Sequence, residues 1–272
     1  MTGDFSPTWL TLREPADARA RSAELAAELA AELAAELAAD LAAGLAGRPA
    51  PPLVIRDLGC GTGSLGRWLS PRLPLPQHWI LHDHDPVLLE HARRSLPAGV
   101  TTEIRTGDVT ALTGDDLAGT SLVACSALLD LFTAAEVGDL AAACAAHRTP
   151  VLFTLSVTGE VAFDPPHERD AEIAAAFNAH QRRETGGRRL LGPDAATVAA
   201  TAFEKAGATV TLRPAPWRLA SGEPLTAAWF AGWLAAAADQ EPGLRLDDYR
   251  RWRAERSWTA SVGHLDLLAT FH

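Results

Sequence analysis

A short, largely apolar segment that runs straight into a glycine-rich loop is the feature that most limits how this chain can fold. Residues 53–58 (LVIRDL) have the length and composition of a buried strand, and four glycines follow within the eight positions 59–66. Glycine adopts left-handed backbone conformations at little cost, so this loop can turn sharply and approach a ligand closely. The segment therefore predicts a strand, a binding loop at its carboxyl end, and a following helix.

Strand and helix patterns alternate along the rest of the chain. We predict strands at 53–58, 78–82, 101–105, 122–126, 150–157, 209–213 and within 259–270, and helices at 64–72, 86–95, 133–147, 168–184, 194–206, 225–239 and 246–257. Strands that are separated by helices pair in parallel through right-handed crossovers. The expected fold class is therefore α/β, with a doubly wound, mostly parallel sheet of seven strands and helices on both faces.

The N-terminal 47 residues differ in composition from the rest. Four copies of Glu-Leu-Ala-Ala occupy 24–39, inside a helix that we predict to begin at Pro15 and to span 16–46. Leucine recurs every four residues, and because a helix turns about 100° per residue, each leucine lags the previous one by about 40°. An apolar stripe that winds in this way is typical of a low-complexity helix, with an oligomerisation arm as the alternative.

These differences in composition suggest a domain organisation. Residues 1–47 form an N-terminal extension, in which 9–19 are expected to fold over a pocket as a lid, and a proline-rich hinge at 49–52 joins it to the main domain, 48–272. A helical cap at about 159–192 interrupts that domain.

Composition narrows the partners and the compartment. The net charge is −10, and the arginines are scattered rather than collected into a basic stripe, which argues against nucleic acid as a partner. Cys60, Cys125 and Cys144 lack CxxC spacing and fit a reducing compartment. We find neither an export signal nor an apolar run of about 18 residues, and so expect a cytoplasmic protein without membrane contact, either a monomer or a homodimer.

The glycine loop itself can be interpreted in two frames. Gly61, Gly63 and Gly66 spell the GxGxxG of a dinucleotide-binding turn, whereas Asp57 with Gly59, Gly61 and Gly63 spells DxGxGxG. A carboxylate at position 57 would repel a pyrophosphate but would attract an ammonium or sulfonium group. The charge therefore favours S-adenosylmethionine as the ligand over NAD(P), and leaves Gly66 as a helix-packing glycine.

Four motifs carry a family resemblance. VIRDLGCGTG at 54–63 resembles the first motif of class I S-adenosylmethionine-dependent methyltransferases, LHDHDP at 81–86 resembles the end of their second strand, and GDV at 107–109 resembles the acidic turn after the third. CSALLD at 125–130 takes the place of the fourth-strand motif. The resemblance is close over 53–157, and PWRL at 216–219 is also similar to actinobacterial members of unassigned substrate. It implies a Rossmann-like sheet and a methyltransferase.

The resemblance also implies a donor site. Asp57 would face the amino end of the methionine moiety, Asp83 the ribose hydroxyls, Asp108 the adenine amino group, and Arg13 the donor carboxylate if the lid closes. The implied donor-binding residues are Asp57, Gly59, Cys60, Gly61, Thr62, Gly63, Asp83, His84, Asp108, Val109, Ser126 and Arg13. No metal is expected, because His82 and His84 point to the opposite side of a strand from Asp83 and Asp85.

The acceptor side is less defined. The helix at 168–184 is expected to cap a small-molecule acceptor, with Phe177, Asn178 and Gln181 as binding residues. His180 on that helix and His167 before it are candidate general bases, each with an ordinary surface histidine as the alternative. Because methyl transfer is an in-line displacement, a base is needed only if the acceptor must lose a proton.

Three alternative functions stay open on the sequence. A protein or peptide acceptor would require a long exposed groove instead of an enclosed pocket. A donor-binding protein without catalysis would keep the four motifs, and an NAD(P)-dependent oxidoreductase would use the other frame of the loop.

Overall fold

The order of the strands in the central sheet defines the fold. A computed structural model of the chain describes residues 6–42, 52–73 and 76–272. The main strands are β1 (Leu53–Leu58), β2 (Gln77–Asp83), β3 (Thr101–Thr106), β4 (Leu122–Ser126), β5 (Val151–Asp164), β8 (Thr209–Pro214), β9 (Trp217–Ala220) and β10 (Thr259–Thr270), and β6 (Glu184–Thr185) and β7 (Arg188–Arg189) form a separate hairpin. The order in the sheet is β3-β2-β1-β4-β5-β10-β8, and β9 pairs with β10.

The parallel half of this sheet brings the binding loops together. β3, β2, β1, β4 and β5 are parallel neighbours, whereas β10 is antiparallel to β5 and β8. Leu58 at the end of β1 pairs with His82 in β2 and with Cys125 in β4. The carboxyl ends of these strands therefore lie at one edge, where open α/β sheets bind ligands. The predicted seven-stranded, doubly wound sheet is confirmed, and β9 adds an eighth strand.

Helices cover both faces of the sheet. They are α1 (Pro7–Ala20), α2 (Ala23–Ala42), α3 (Ser64–Leu69), α4 (Pro86–Ser95), α5 (Ala134–His147), α6 (Asp170–Gln181), α7 (Ala195–Lys205), α8 (Pro224–Gln240) and α9 (Asp247–Ala254). One apolar core lies under α2, α3 and α4, and a second lies under α5 and α7. A third, rich in aromatic residues, joins α6, α8 and α9 to the outer parts of β5 and β10.

The N-terminal helix begins and ends at other residues than predicted. Ser6 caps α1 by accepting a hydrogen bond from the Trp9 amide at 3.2 Å, so Pro15 lies inside the helix and does not start it. α1 ends before Ser22, whose hydroxyl accepts from the Leu25 amide at 3.2 Å and whose own amide donates to Asp266 at 2.7 Å. The single helix at 16–46 is therefore two helices, because Ser22 and the buried Asp266 fix a break between them.

The leucine repeat packs against the sheet in its first half. Leu25, Leu29 and Leu33 are each at most 2% exposed and join the same core as Leu53 and Leu268. Three leucines at a lag of about 40° span about 80°, which is narrower than the apolar face of a packed helix. The winding therefore does not prevent these three turns from covering the sheet. The predicted hinge and the domain boundary at 47–48 lie outside the described residues, except for Pro52.

Candidate functional site

The loop after β1 has the backbone that its glycines permit. Gly59 has φ +61°, and a Cβ there would lie 2.9 Å from a methyl group of Leu128. Gly63 has φ +82°, and its Cβ would lie 3.1 Å from the Cα of Ala92. Side chains at either position would be strained and crowded, so glycine is needed at both. Gly66 has no such backbone strain, but a Cβ would lie 2.5 Å from Leu96, in agreement with a packing role.

Asp83 holds the glycine loop in place. Its carboxylate accepts hydrogen bonds from the Gly61 amide at 2.9 Å and from the Asp85 amide at 3.0 Å. The Cys60 amide donates to the carbonyl of His82 at 3.1 Å, which ties the loop to the end of β2. A buried carboxylate with two amide donors still has lone pairs free for a ligand. Asp83 therefore positions the loop and also presents an acceptor beside it.

Asp57 is buried without a partner. It is 1% exposed, and neither carboxylate oxygen has a hydrogen-bond partner among the residues that the structure describes. Burial raises the pKa of Asp57 to about 7, the charge of Arg21 opposes this rise, and Asp83 adds to it. A carboxylate left unpaired in a protein interior is costly, so the geometry calls for a cation at this point.

Arg21 provides a buried charge of opposite sign. It lies at the end of α1, is 4% exposed, and its Nη2 donates to the hydroxyls of Ser126 at 3.0 Å and Ser64 at 3.1 Å. Its Nε has no partner, and it forms no ion pair within 6–42, 52–73 and 76–272. Burial lowers its pKa. The sequence analysis missed Arg21, although Arg13, Asp17 and Arg21 recur at a four-residue spacing that marks one helix face.

Arg13, the predicted contact of the donor carboxylate, is already paired. Its guanidinium donates to the two carboxylate oxygens of Asp17 at 2.9 and 3.3 Å and lies 5.0 Å from the ring centre of Trp217. Trp217 in turn donates its indole N–H to Asp17 at 3.0 Å. Arg13 is therefore paired with Asp17 and fixed by the ring, whereas Arg21 interacts electrostatically with Asp17, Asp266 and Asp57 but forms no ion pair with them.

The turns after β2 and β3 supply the remaining polar groups. Asp108 accepts from the amide of Thr110 at 2.9 Å and from its hydroxyl at 2.7 Å, and these bonds lower its pKa. His84 is 70% exposed in its side chain and lies 3.4 Å from Asp83. Burial raises the pKa of the Cys60 thiol, so this cysteine is not a thiolate nucleophile.

These groups border one cavity of about 560 Å³. Every predicted donor-binding residue except Gly63 lines it. The other lining residues are Leu10, Asp17, Arg21, Ser64, Leu65, Asp85, Leu88, Gly107, Thr110, Ala127, Leu128, Leu131, Phe132, Arg183, Thr185, Arg188 and Leu190. The cavity has the size of a small-molecule site, and α1 forms one of its walls.

The acceptor residues predicted on α6 are not in the lining of this cavity. Phe177 packs in the aromatic core, Asn178 donates to the Gly159 carbonyl at 3.0 Å, and Gln181 packs against the backbone of Gly192. Their role in acceptor binding stays a prediction, since the structure does not bring them to the donor loops.

The two candidate histidines are also outside the lining. His180 lies 3.3 Å from Asp239, and burial lowers its pKa. His167 accepts from the Arg169 amide at 3.1 Å and packs edge-on against Tyr249 and Trp252. Both are engaged by neighbours on the outer side of the cap, and their catalytic role stays a prediction.

The segment after α6 borders the cavity instead. Arg183, Thr185, Arg188 and Leu190 line it from the β6–β7 hairpin and its flanks. Arg188 pairs with Glu136 at 2.7 and 2.9 Å and donates to the Leu131 carbonyl at 3.1 Å. The sequence analysis missed this hairpin, although Gly-Gly at 186–187 is a turn pattern that could have indicated it.

The described residues contain neither a metal-binding cluster nor a membrane-spanning helix. No group of three or more His, Cys, Asp or Glu side chains is arranged to hold a metal ion there. Among the helices of the described part of the chain, none has the length and apolarity needed to cross a bilayer.

Comparison with known proteins gives one family match. Residues 55–150, from within β1 to the residue before β5, match a family model described as a methyltransferase domain. No curated protein sequence matches the chain significantly.

Solved structures with weak similarity include methyltransferases. One is the magnesium protoporphyrin IX methyltransferase of Synechocystis PCC 6803 with bound SAH, at 13% identity and a TM-score of 0.40, covering 88% of this chain and 82% of that one. Another is a precorrin-6y C5,15-methyltransferase from Geobacter metallireducens GS-15, at 13% identity and a TM-score of 0.42, covering 89% and 87%. Similarity at this level adds nothing to the fold, which the strand order establishes directly. The comparisons thus show that residues 55–150, about a third of the chain, are similar to a methyltransferase domain.

Proposed function

We propose that the protein transfers the methyl group of S-adenosylmethionine to a small organic molecule that it encloses in the cavity beside the glycine loop. One observation carries this proposal. Asp57 and Arg21 are buried charges of opposite sign, both line the cavity, and neither has an ion-pair partner within the described part of the chain. The amino-acid end of S-adenosylmethionine carries an ammonium and a carboxylate, which complement these two charges.

The other donor contacts follow from this placement. With Asp57 at the ammonium and Arg21 at the carboxylate, Asp83 is available to the ribose hydroxyls and Asp108 to the adenine amino group. Ser126 lies at the end of β4, where its hydroxyl is held by Arg21 at 3.0 Å. The residues present thus fit the donor at both of its ends.

The bound donor supplies a methyl group activated by a sulfonium. The chain's own contribution is to orient and to exclude water. Holding two reactants in line accounts for a large part of a displacement barrier, and apolar walls suit a reaction in which a charge is dispersed. Leu10, Leu128, Leu131 and Leu190 supply such walls. A cavity bounded by α1 on one side and by the hairpin on another favours a small acceptor over a peptide in a groove.

The compartment forms part of the same proposal. All three cysteines are buried and unpaired, which supports a reducing compartment such as the cytoplasm.

Calorimetric titration with S-adenosylhomocysteine, set against NADPH, tests the donor assignment. We expect the wild type to bind the former and not the latter. Because Asp57 pairs with an ammonium only when ionised, and burial raises its pKa to about 7, donor affinity should rise from pH 6 to pH 8 by about tenfold. In Asp57→Asn the affinity should be at least about tenfold weaker at pH 8 and nearly independent of pH.

In the unliganded protein, the raised pKa of Asp57 makes the folded state less stable as the pH rises. The folded state favours protonated Asp57, so this contribution to stability is present at low pH and is lost as the pH rises through about 7. The melting temperature of Asp57→Asn relative to wild type should therefore increase with pH. NADPH binding without S-adenosylhomocysteine binding, or a pH profile unchanged by Asp57→Asn, would contradict the proposed donor site.

A further inference from the structure

The cavity extends beyond the residues assigned to the donor. Leu131 and Phe132 follow β4, and Arg183, Thr185 and Leu190 belong to the segment after α6. The two segments are joined directly, because the Leu191 amide donates to the Phe132 carbonyl at 2.8 Å. The acceptor end is therefore a defined wall of the cavity, built of apolar side chains and a small number of cations.

The arginines that line the cavity differ in whether a carboxylate is paired with them. Arg13 is paired with Asp17, and Arg188 is paired with Glu136, each through two hydrogen bonds. Arg183 is different. Its Nη1 donates to the His180 carbonyl at 3.0 Å and contacts the His180 ring nitrogen at 3.3 Å. Arg183 forms no ion pair with any carboxylate of the described residues, 6–42, 52–73 and 76–272.

The N–H groups of Arg183 that have no partner in the described residues favour one kind of ligand group. A guanidinium has five N–H groups in a planar fork, and only Nη1 of Arg183 has a partner in the described part of the chain. The residue is partly buried, and its N–H groups on Nε and Nη2 stay accessible to solvent or to a ligand. A planar fork of this kind matches the two oxygens of a carboxylate or phosphate better than any neutral group.

One acidic residue also faces this region. Asp130 lies in the turn between Leu129 and Leu131, and burial raises its pKa to about 6 while Arg13 and Arg183 oppose the rise. It makes no ion pair with Arg183 in the structure. The charge of Arg183 is therefore only partly offset, and the adjoining wall of Leu131, Phe132 and Leu190 is apolar.

We propose that the methyl acceptor is a small organic oxyanion, an apolar or aromatic body with one carboxylate or phosphate group, and that Arg183 binds the oxyanion. The proposal rests on the proposed methyltransferase function, because it concerns the part of the cavity that is lined by residues not assigned to the donor. Arg183 acts in binding and orientation, and the apolar wall holds the body of the acceptor against the donor.

Calorimetry on the full chain saturated with S-adenosylhomocysteine tests the acceptor class. The probes are 4-hydroxybenzoate against 4-hydroxybenzamide, which differ in charge but little in shape, and phenyl phosphate against phenol, which lacks the phosphate group. We expect at least one acid to bind about tenfold or more tightly than its neutral partner, since a hydrogen-bonded charge pair is lost in the neutral compound. The two acids distinguish a carboxylate from a phosphate.

Variants then assign the preference to a side chain. Arg183→Gln should abolish the preference for the acid, and Arg183→Lys should retain part of it. Arg182→Gln is the matched control, because Arg182 is adjacent, pairs with Asp194 at 2.6 and 2.7 Å, and does not line the cavity.

The outcomes separate the two proposals. Failure to bind S-adenosylhomocysteine counts against the donor site and not against Arg183. With the donor product bound, equal affinity for acid and neutral probes, no binding of either acid, or a preference that survives Arg183→Gln would each overturn the assignment of an oxyanion acceptor.

Discussion

The two ends of the cavity are built in different ways. The donor end comes mainly from the carboxyl ends of adjacent parallel strands, within 57–126, and α1 adds Arg21 to it. The acceptor end is assembled from the turn after β4 and the hairpin at 184–189 with its flanks, which are distant in sequence and are joined by the Arg188–Leu131 and Leu191–Phe132 hydrogen bonds. Sheet topology therefore fixes the first end, whereas a few long-range pairs fix the second.

We expect the largest loss of S-adenosylhomocysteine affinity from a substitution at the donor end, at Asp83. Asp83 accepts two backbone amides of the loop region and faces the ribose in the proposed complex. Asp83→Ala should weaken S-adenosylhomocysteine binding about a hundredfold by calorimetry, since about two charge-assisted hydrogen bonds are lost. Asp115→Ala, at an exposed acid outside the cavity lining, is the control. An unchanged affinity in Asp83→Ala would remove this residue from the donor end.

A smaller effect tests whether α1 contributes to the donor end. Arg21→Gln removes the buried cation without an ion pair and should weaken S-adenosylhomocysteine binding about tenfold. Arg13→Gln changes a guanidinium that Asp17 already neutralises and should alter the affinity less than about threefold. Equilibrium titration of both variants gives the comparison. The reverse order of effects would return the carboxylate contact to Arg13, as the sequence first indicated.

The smallest effect concerns how α1 is held against the fold. Glu14 in α1 pairs with Arg67 in α3 at 2.8 Å, with both side chains about a quarter exposed. Pairs of this kind contribute about 1 kcal/mol or less, so Glu14→Gln should lower the melting temperature by roughly 2–4 °C at most. Donor affinity should not change. A much larger loss would mean that this pair, and not the buried Asp17–Trp217 hydrogen bond, anchors the helix.

The sequence predicted most of the sheet because its strands are marked locally. β1 and β4 have the predicted bounds, β2 is one residue longer at each end, and β3 is one residue longer at its carboxyl end. β1, β2 and β4 are short, mainly apolar runs and β3 is rich in β-branched residues, and these patterns do not depend on distant contacts. The predictions at the N-terminus were less accurate, because the break at Ser22 depends on Asp266, a residue 244 positions away.

The residues of the candidate site also differ in whether a local sequence pattern could predict them. Asp57, Asp83, Asp108 and the glycines follow strands directly, so the order of strands brings them together once the fold is known. The hydrogen bonds of Arg183 go to His180, only three residues away. Arg21 and the hairpin, in contrast, reach the cavity through contacts across 43 to 105 residues for Arg21 and 52 to 57 residues for Arg188. No local pattern specifies such contacts.

The sequence alone thus determined the α/β fold and the glycine loop and favoured S-adenosylmethionine as the ligand, because strand periodicity, glycine spacing and the charge at Asp57 are local properties. Only the tertiary structure decided which cations are compensated. Arg13, Arg21, Arg183 and Arg188 are chemically identical in the sequence, and the folded chain pairs Arg13 and Arg188 with carboxylates but leaves Arg21 and Arg183 without one in the described residues. The Arg13–Asp17 pair is a local contact within one helix, whereas the Arg188–Glu136 pair spans 52 residues and depends on long-range packing.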